Sequence, residues 1–296
     1  MQTLTDFSTY NRTDAFLKYW LTGLSEMIFN PRIRNESLAR YIENTSLLIK
    51  DNLLINTGSV KWKAKNADLK FTHDTSFHIV LNNVTLTCYS QRDSTEIYKA
   101  SGIFHPDLQE FHGTKGTITW EKAGYPANDV YAEISDYVIN VTKNTFTCDS
   151  ARFTNKSWFS EPVYGVLTDK AATIISSDKA TFPQFETYRK QFKIKNLYKG
   201  VDFEGGLLFE GALIKGKGEK AFPAMINLFR NDTLFIKIAA GDFVFSSSGI
   251  NSQETQATIY LGQDSIYHSS LGFSFNGQSR KLNLFRTSNP VSHSPY

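Results

Sequence analysis

The sequence predicts a mainly β fold of stacked antiparallel or solenoid-like β units, with a β-sandwich as the alternative, preceded by an N-terminal helical hairpin. Three observations support this prediction. From residue 58 onward apolar and polar residues alternate in short runs bounded by Gly, Asn, Asp or Pro. Aromatic residues, which suit pleated surfaces, make up 14% of the 296 residues. No further long helical pattern follows the first two, which argues against parallel βαβ units.

Two amphipathic helices are expected in the first predicted domain, residues 1–57. Thr13 is a candidate N-cap for the first helix, and Pro31 follows it. Asn35 is a candidate cap for the second helix, which Thr57 and Gly58 are expected to end. The first helix carries an apolar stripe at helical spacing, formed by Phe16, Leu17, Trp20, Leu21, Leu24 and Ile28.

The second predicted domain, residues 58–296, is repetitive and β-rich. Its clearest strand is Val60–Lys65, where Val, Trp and Ala alternate with three lysines. Residues 78–81 and 84–89 are expected to be separate strands. Residues 176–184 interrupt the pattern, and we interpret them as a surface loop within one continuous sheet rather than a domain boundary.

Three Asp-Ser/Thr pairs precede apolar strands, at Asp93, Asp232 and Asp264. Such side chains bond to the backbone of a tight turn. We therefore expect each pair to lie at a turn that begins a strand.

Two similar heptapeptides, residues 84–90 and 144–150, lie sixty positions apart and contain the only two cysteines, Cys88 and Cys148. In each the cysteine shares a strand face with an apolar residue. A β unit used more than once would explain the similarity. Two buried, unpaired thiols are favoured over a disulfide or redox pair. Trp62 and Trp120 also fall on apolar strand faces and are expected in the core.

Composition excludes several classes of protein. The net charge of +3 provides no basic stripe for nucleic acid. No apolar run reaches the roughly 18–20 residues of a membrane-spanning helix. The N-terminus does not resemble a secretory signal, and the polar tail at residues 287–296 is typical of a chain that is part of something longer.

A metal site is one interpretation of the histidines. Residues 105–112 hold two histidines and two carboxylates, with His73 and His78 upstream, and zinc takes such ligands. The spacing matches no closed site, however, and Pro106 favours a polar loop. We therefore predict no metal-binding residue.

Glu110, Glu121, Glu133 and Asp136 could supply the paired carboxylates of a glycoside-cleaving enzyme. Acidic residues on the solvated face of a sheet explain them equally well. We predict no catalytic residue, no cofactor and no cofactor-binding residue.

Residues 97–104, 116–124 and 130–134, together with residues 264–268 ahead of 282–286, resemble large uncharacterised β-repeat proteins of Bacteroidetes. The resemblance covers most of residues 58–296, and its motifs are structural. It implies a piece of a long protein of the bacterial cell envelope. It implies no activity and no functional residue.

The leading hypothesis is a non-enzymatic β-rich scaffold or binding module, part of a larger bacterial envelope protein, whose partners are lipid or envelope proteins. The lipid variant rests on strands that are apolar on both faces, such as residues 207–209 and 234–236. A carbohydrate-active β-helix or β-sandwich enzyme is the alternative. A third class is self-assembly through exposed sheet edges.

Overall fold

The computed structural model describes residues 14–66, 68–73, 77–172, 176–246 and 248–286. Strands account for 60% of the chain and helices for 14%, in a large antiparallel sheet with two N-terminal helices. The predicted fold class is therefore confirmed. The chain also divides into two compact units, Met1–Ser177 and Asp178–Tyr296, a division that the predicted domains do not draw.

Among its described residues, the first unit contains two α-helices and ten strands. The helices are α1 (Asp14–Phe29) and α2 (Asn35–Asp51). The strands are β1 (Leu53–Asn56), β2 (Val60–Lys65), β3 (Asp68–His73), β4 (Phe77–Ser90), β5 (Asp93–His105), β6 (Glu110–Thr119), β7 (Val130–Ile134), β8 (Tyr137–Asn140), β9 (Thr145–Asn155) and β10 (Val163–Lys170).

The second unit contains the other ten strands. They are β11 (Gln184–Thr187), β12 (Phe192–Tyr198), β13 (Val201–Glu210), β14 (Leu213–Lys217), β15 (Ala224–Arg230), β16 (Thr233–Ala240), β17 (Asp242–Ser246), β18 (Gly249–Leu261), β19 (Asp264–Asn276) and β20 (Lys281–Phe285).

The ends of α2 differ from the prediction. Its N-cap is Arg34, which makes no side-chain capping bond, and Asn35 is the first helical residue. The helix ends at Asn52, whose left-handed conformation (φ 56°) turns its N–H toward the Leu47 and Leu48 carbonyls. The expected end at Thr57 is wrong. Because Asn tolerates this left-handed conformation, the helix stops at Asn52 and β1 begins earlier than predicted. The candidate cap Thr13 lies outside the described residues.

Buried polar side chains hold the helices in place. The Tyr41 hydroxyl donates to the Trp20 carbonyl at 2.8 Å, and its ring lies 5.0 Å from the Phe77 ring. Asn44, which is 3% exposed, donates from its side-chain amide to the Pro106 carbonyl at 2.8 Å. These bonds connect α2 to α1 and to the β5–β6 turn, so the helical hairpin packs as part of the first unit.

The sheet of the first unit runs β1–β2–β4–β5–β6–β7–β9–β10 through antiparallel pairs. Residues 78–81 and 84–89 are one strand, β4, rather than two. A register shift near Asn83 (φ 50°) changes which face the side chains occupy without ending the strand. As predicted, Trp62 and Trp120 are fully buried.

Both cysteines are free and fully buried, as predicted. Cys88 pairs with Thr95 across β4 and β5, whereas Cys148 pairs with Leu167 across β9 and β10. Their ladder partners therefore differ, and the internal repetition stays a prediction.

The sheet of the second unit has a line of interruptions across it, which we call the crease. Along one side of β13 the pairing partner changes from β11 to β12, and along the other side it changes from β14 to β15. Both changes occur at Gly205 and Gly206 of β13, which lie on the crease. Strand β16 ends just before Gly241, and β17 begins just after it. Strands β18 and β19 shift register on the same line but continue across it. The crease leaves β12, β15 and β16 in one half of the sheet and β11, β14 and β17 in the other.

Candidate functional site

Two parallel rows of side chains cross five strands in the half of the second unit that contains β16. Residues that pair across antiparallel strands share one face of the sheet. The register places an apolar row on the inner face, made of Val201, Leu228, Ile236, Ile259 and Ile266. The row on the opposite face is mostly polar and consists of Asp202, Asn227, Lys237, Thr258 and Tyr267.

The apolar row begins inside a closed core and ends in solvent. Val201 is 2% exposed and Ile236 is 6% exposed, whereas Ile266 at the far end is 56% exposed. Beside it Leu261 is 50% exposed, and Leu228 and Ile259 are half-buried. We call these three residues together with Ile266 the tip face.

Two tight turns position the tip face. Asn231 and Asp232 both have positive φ (49° and 60°) between β15 and β16, which is the conformation of a two-residue hairpin turn. Gly262 (φ 70°) begins the turn between β18 and β19. The predicted turns before Asp93, Asp232 and Asp264 are thus confirmed. Because β18 continues past Ile259, its last residue that pairs with β16, Leu261 lies beyond that pairing, and Ile266 lies opposite Ile259 on β19.

The histidines occupy strands rather than the expected loop. His105 ends β5 and His112 lies in β6, so only the four residues between β5 and β6 form a turn around Pro106. The His105 ring lies 4.8 Å from the His112 ring and 6.0 Å from the His78 ring, measured between centroids. Pro106 does lie in a turn, as predicted, but the pairing of β5 with β6 confines that turn to these four residues.

The surroundings of this histidine row favour the neutral form of His105, its central member. Burial lowers the pKa of His105, and the neighbouring His112 and His78 lower it further, against the opposing effect of Asp107. Glu110 lies 2.9 Å from His112 Nε2. Among the described residues, no group of three or more His, Cys, Asp or Glu side chains is arranged to hold a metal ion.

The four carboxylates considered for glycoside cleavage lie on β6, on β7 and in the segments that follow these two strands. Glu110 and Glu121 flank β6 at opposite ends, roughly 30 Å apart at the usual rise per residue. Known glycosidase pairs are separated by about 5 to 9.5 Å. Glu133 is ion-paired with Arg152, and Asp136 lies in the next turn with φ 53°. Glu110 and Glu121 are therefore too far apart to form such a pair with each other, and the enzyme alternative stays a hypothesis.

A buried polar cluster in the first unit was not predicted. Asp169 is 1% exposed; it accepts a hydrogen bond from the Thr95 hydroxyl and, at 2.8 Å, one from the Lys170 N–H. Nearby Lys122 Nζ contacts both oxygens of Asp93 at 2.8 and 2.9 Å. The Thr95 bond joins β5 to β10 across the interior of the unit.

Burial sets the protonation of this cluster. It raises the pKa of Asp169 to about 6, although the Thr95 hydroxyl, the Lys170 N–H and Lys122 oppose the rise. Burial also raises the pKa of the Cys88 thiol to about 12, and the charge of Asp169 adds to this effect. A thiol with so high a pKa is a poor nucleophile at neutral pH. The cluster therefore has the character of a buried structural contact.

No known protein family, curated protein or solved structure matches this chain. Within the described ranges, no helix is long and apolar enough to cross a membrane. Function must therefore be inferred from the chain's own residues.

Proposed function

We propose that this chain is a non-enzymatic β-rich binding module or scaffold of a larger bacterial envelope protein, and that its tip face binds a lipid acyl chain. The observation that carries the proposal is the apolar row that continues from a closed core into solvent at Ile266. Exposed apolar surface that is continuous rather than scattered is typical of a binding site.

The geometry favours an extended apolar ligand. The tip face lies on one side of the sheet, and a mostly polar row lies on the other. Residues 234–236 suggested the lipid hypothesis, and here Ile236 lies on the inner face, whereas a register shift pairs Leu234 with Phe229 on the other face. An acyl chain lying along the inner face would extend the buried core by one layer.

The energy available is modest but sufficient for reversible binding. Full burial of a Leu or Ile side chain contributes about 1.5–3 kcal/mol. Leu261 and Ile266 keep about half of their surface exposed, so covering each would contribute about 1 kcal/mol. The two half-buried residues of the tip face, Leu228 and Ile259, would add smaller amounts.

The envelope setting rests on the resemblance to β-repeat proteins, and partners among envelope proteins are part of the same proposal. The envelope setting does not depend on any single residue of the tip face. The lipid assignment can therefore be tested separately from the setting.

The test compares two adjacent, equally exposed residues that face opposite sides of β19. We would measure binding of a fluorescent fatty acid to the full chain, and to the variants Ile266→Ser and Tyr267→Ser. We expect the dissociation constant to rise about fivefold for Ile266→Ser, matching about 1 kcal/mol, and to stay unchanged for Tyr267→Ser. Mass spectrometry of the purified chain should also detect co-purified lipid.

Two results would contradict the lipid assignment. One is a wild-type chain that binds no acyl probe and carries no lipid. The other is an equal loss in both variants, which would place the binding surface elsewhere.

A further inference from the structure

The outer edge of β19 is open where the strand runs past its neighbour. On one side β19 pairs with β18 from Asp264 to Asn276. On its other side β20 pairs only with Gly272–Asn276. Among the described residues, no strand pairs with the outer edge of residues 264–271. An unpaired edge exposes N–H and C=O groups that can bond to another strand.

This edge lacks the features that usually prevent pairing. Natural edge strands carry lysines, prolines or inward charges that block association. At the opposite border of the same half-sheet, β12 follows that rule with Lys193 and Lys195, both exposed. Residues 264–268 contain no lysine, arginine or proline, and Ile266 and Tyr267 are 56% and 59% exposed.

We propose that two copies of this chain associate by pairing their β19 edges antiparallel, with the two-fold axis at Ile266. The sequence of this edge is self-complementary in that register. Asp264 comes to lie opposite His268 of the second copy, Ser265 opposite Tyr267, and Ile266 opposite itself. A carboxylate and an imidazole that face each other twice across the axis favour this register over its neighbours.

The proposed pairing leaves the tip face accessible. Edge pairing uses backbone hydrogen bonds in the plane of the sheet, whereas the side chains of the tip face project perpendicular to that plane. The two apolar rows would meet at the two Ile266 side chains and form one row across ten strands. A ladder of five residues is short, so we expect a dimer that depends on protein concentration.

A disulfide tests the register directly. In an antiparallel pair, opposite Cα atoms lie about 4.5–5.5 Å apart, within the range of about 4.4–6.8 Å that a disulfide spans. The variant Ile266→Cys should therefore form a covalent dimer under mild oxidation. Tyr267→Cys is the control, because its two copies would be diagonal neighbours about 7–8 Å apart. Native Cys88 and Cys148 are fully buried and should not compete.

A charge exchange tests the same pairing without a covalent bond. Sedimentation of the full chain should show a dimer whose share rises with concentration. Asp264→His replaces both carboxylate–imidazole pairs by imidazole–imidazole pairs and should raise the dissociation constant by roughly two- to thirtyfold, since each cross-strand pair contributes about 0.2–1 kcal/mol. Adding His268→Asp to that variant restores a carboxylate opposite each imidazole and should restore the dimer.

Several outcomes would overturn the proposal. These are a monomer at every concentration, equal cross-linking of Ile266→Cys and Tyr267→Cys, or a double exchange that does not restore association. A full chain that stays monomeric, while a variant lacking residues 287–296 dimerises, would show that this chain's own last residues cover the edge. None of these results depends on acyl-chain binding, which Ile259→Ser would weaken without altering the β19 edge.

Discussion

The buried carboxylate of Asp169 makes the stability of this protein depend on pH in an unusual direction. Replacing it by Asn removes the charge; the amide oxygen can still accept from the Lys170 N–H, and the amide nitrogen can donate to the Thr95 hydroxyl, which then accepts. Because burial raises the folded-state pKa from 3.8 to about 6, folding takes up a proton between these values. The contribution of Asp169 to stability therefore falls as the pH rises from about 4 to about 6.

The size of the effect follows from the two pKa values. They differ by about 2, and each pH unit corresponds to about 1.4 kcal/mol. At pH 7 the ionised, desolvated Asp169 thus costs about 3 kcal/mol relative to its protonated form. We expect Asp169→Asn to raise the free energy of unfolding at pH 7 by up to this amount and to leave it nearly unchanged at pH 4.

Urea unfolding followed by tryptophan fluorescence provides the assay, because Trp62 and Trp120 are buried in the same unit. The informative quantity is the difference in the free energy of unfolding between variant and wild type at pH 4, 5, 6 and 7, since the other carboxylates contribute equally to both proteins. Asp149→Asn, on the exposed face of β9, is the matched control and should show no such difference. An Asp169→Asn variant less stable than wild type at pH 7 would refute the reasoning, because the ionised carboxylate would then be stabilising.

Four further substitutions test the packing, each by urea unfolding. Gly241→Ala should raise the free energy of unfolding by about 0.4–1 kcal/mol, because nothing lies within 4 Å of the added Cβ. Gly218→Ala should lower it by about 1–3 kcal/mol, because the added Cβ would overlap the backbone nitrogen of Ala224; equal effects of the two variants would contradict this difference. Asn44→Ala should cost about 1–3 kcal/mol by leaving the carbonyl of the β5–β6 turn without its buried donor. Tyr41→Phe should cost about 1 kcal/mol, since it removes one hydrogen bond and keeps the ring; no loss in either variant would show that these bonds do not hold the helices.

The sequence was most informative where one face of a strand is buried and the other is solvated. Val60–Lys65 is a strand with the predicted bounds, because its apolar residues and lysines separate cleanly onto two faces. The end of α2 was misplaced because one left-handed Asn stops a helix as effectively as Gly. The join between residues 78–81 and 84–89 was missed because a bulge interrupts the alternation without ending the strand.

The candidate sites were harder to predict, because they depend on strand register. Ile259 and Ile266 become neighbours only through the pairing of β18 with β19. Asp169 did carry a usable signal. It falls on the inward phase of β10 after Val163, Gly165 and Leu167, all of which are buried. A lone Asp between Thr and Lys nevertheless resembles a surface residue, and burial at that position follows only from the packing of β10 against β5.

The lysines of β12 have a consequence for how far association can go. A strand edge that joins a different edge leaves a free border at each end, so copies can add without limit and form filaments. When an edge pairs with the same edge of a second copy, neither copy keeps that edge free to bind a further strand. The borders then left on this half-sheet are the two β12 strands, whose exposed Lys193 and Lys195 repel a further strand. Assembly of this unit through its strand edges should therefore stop at two copies.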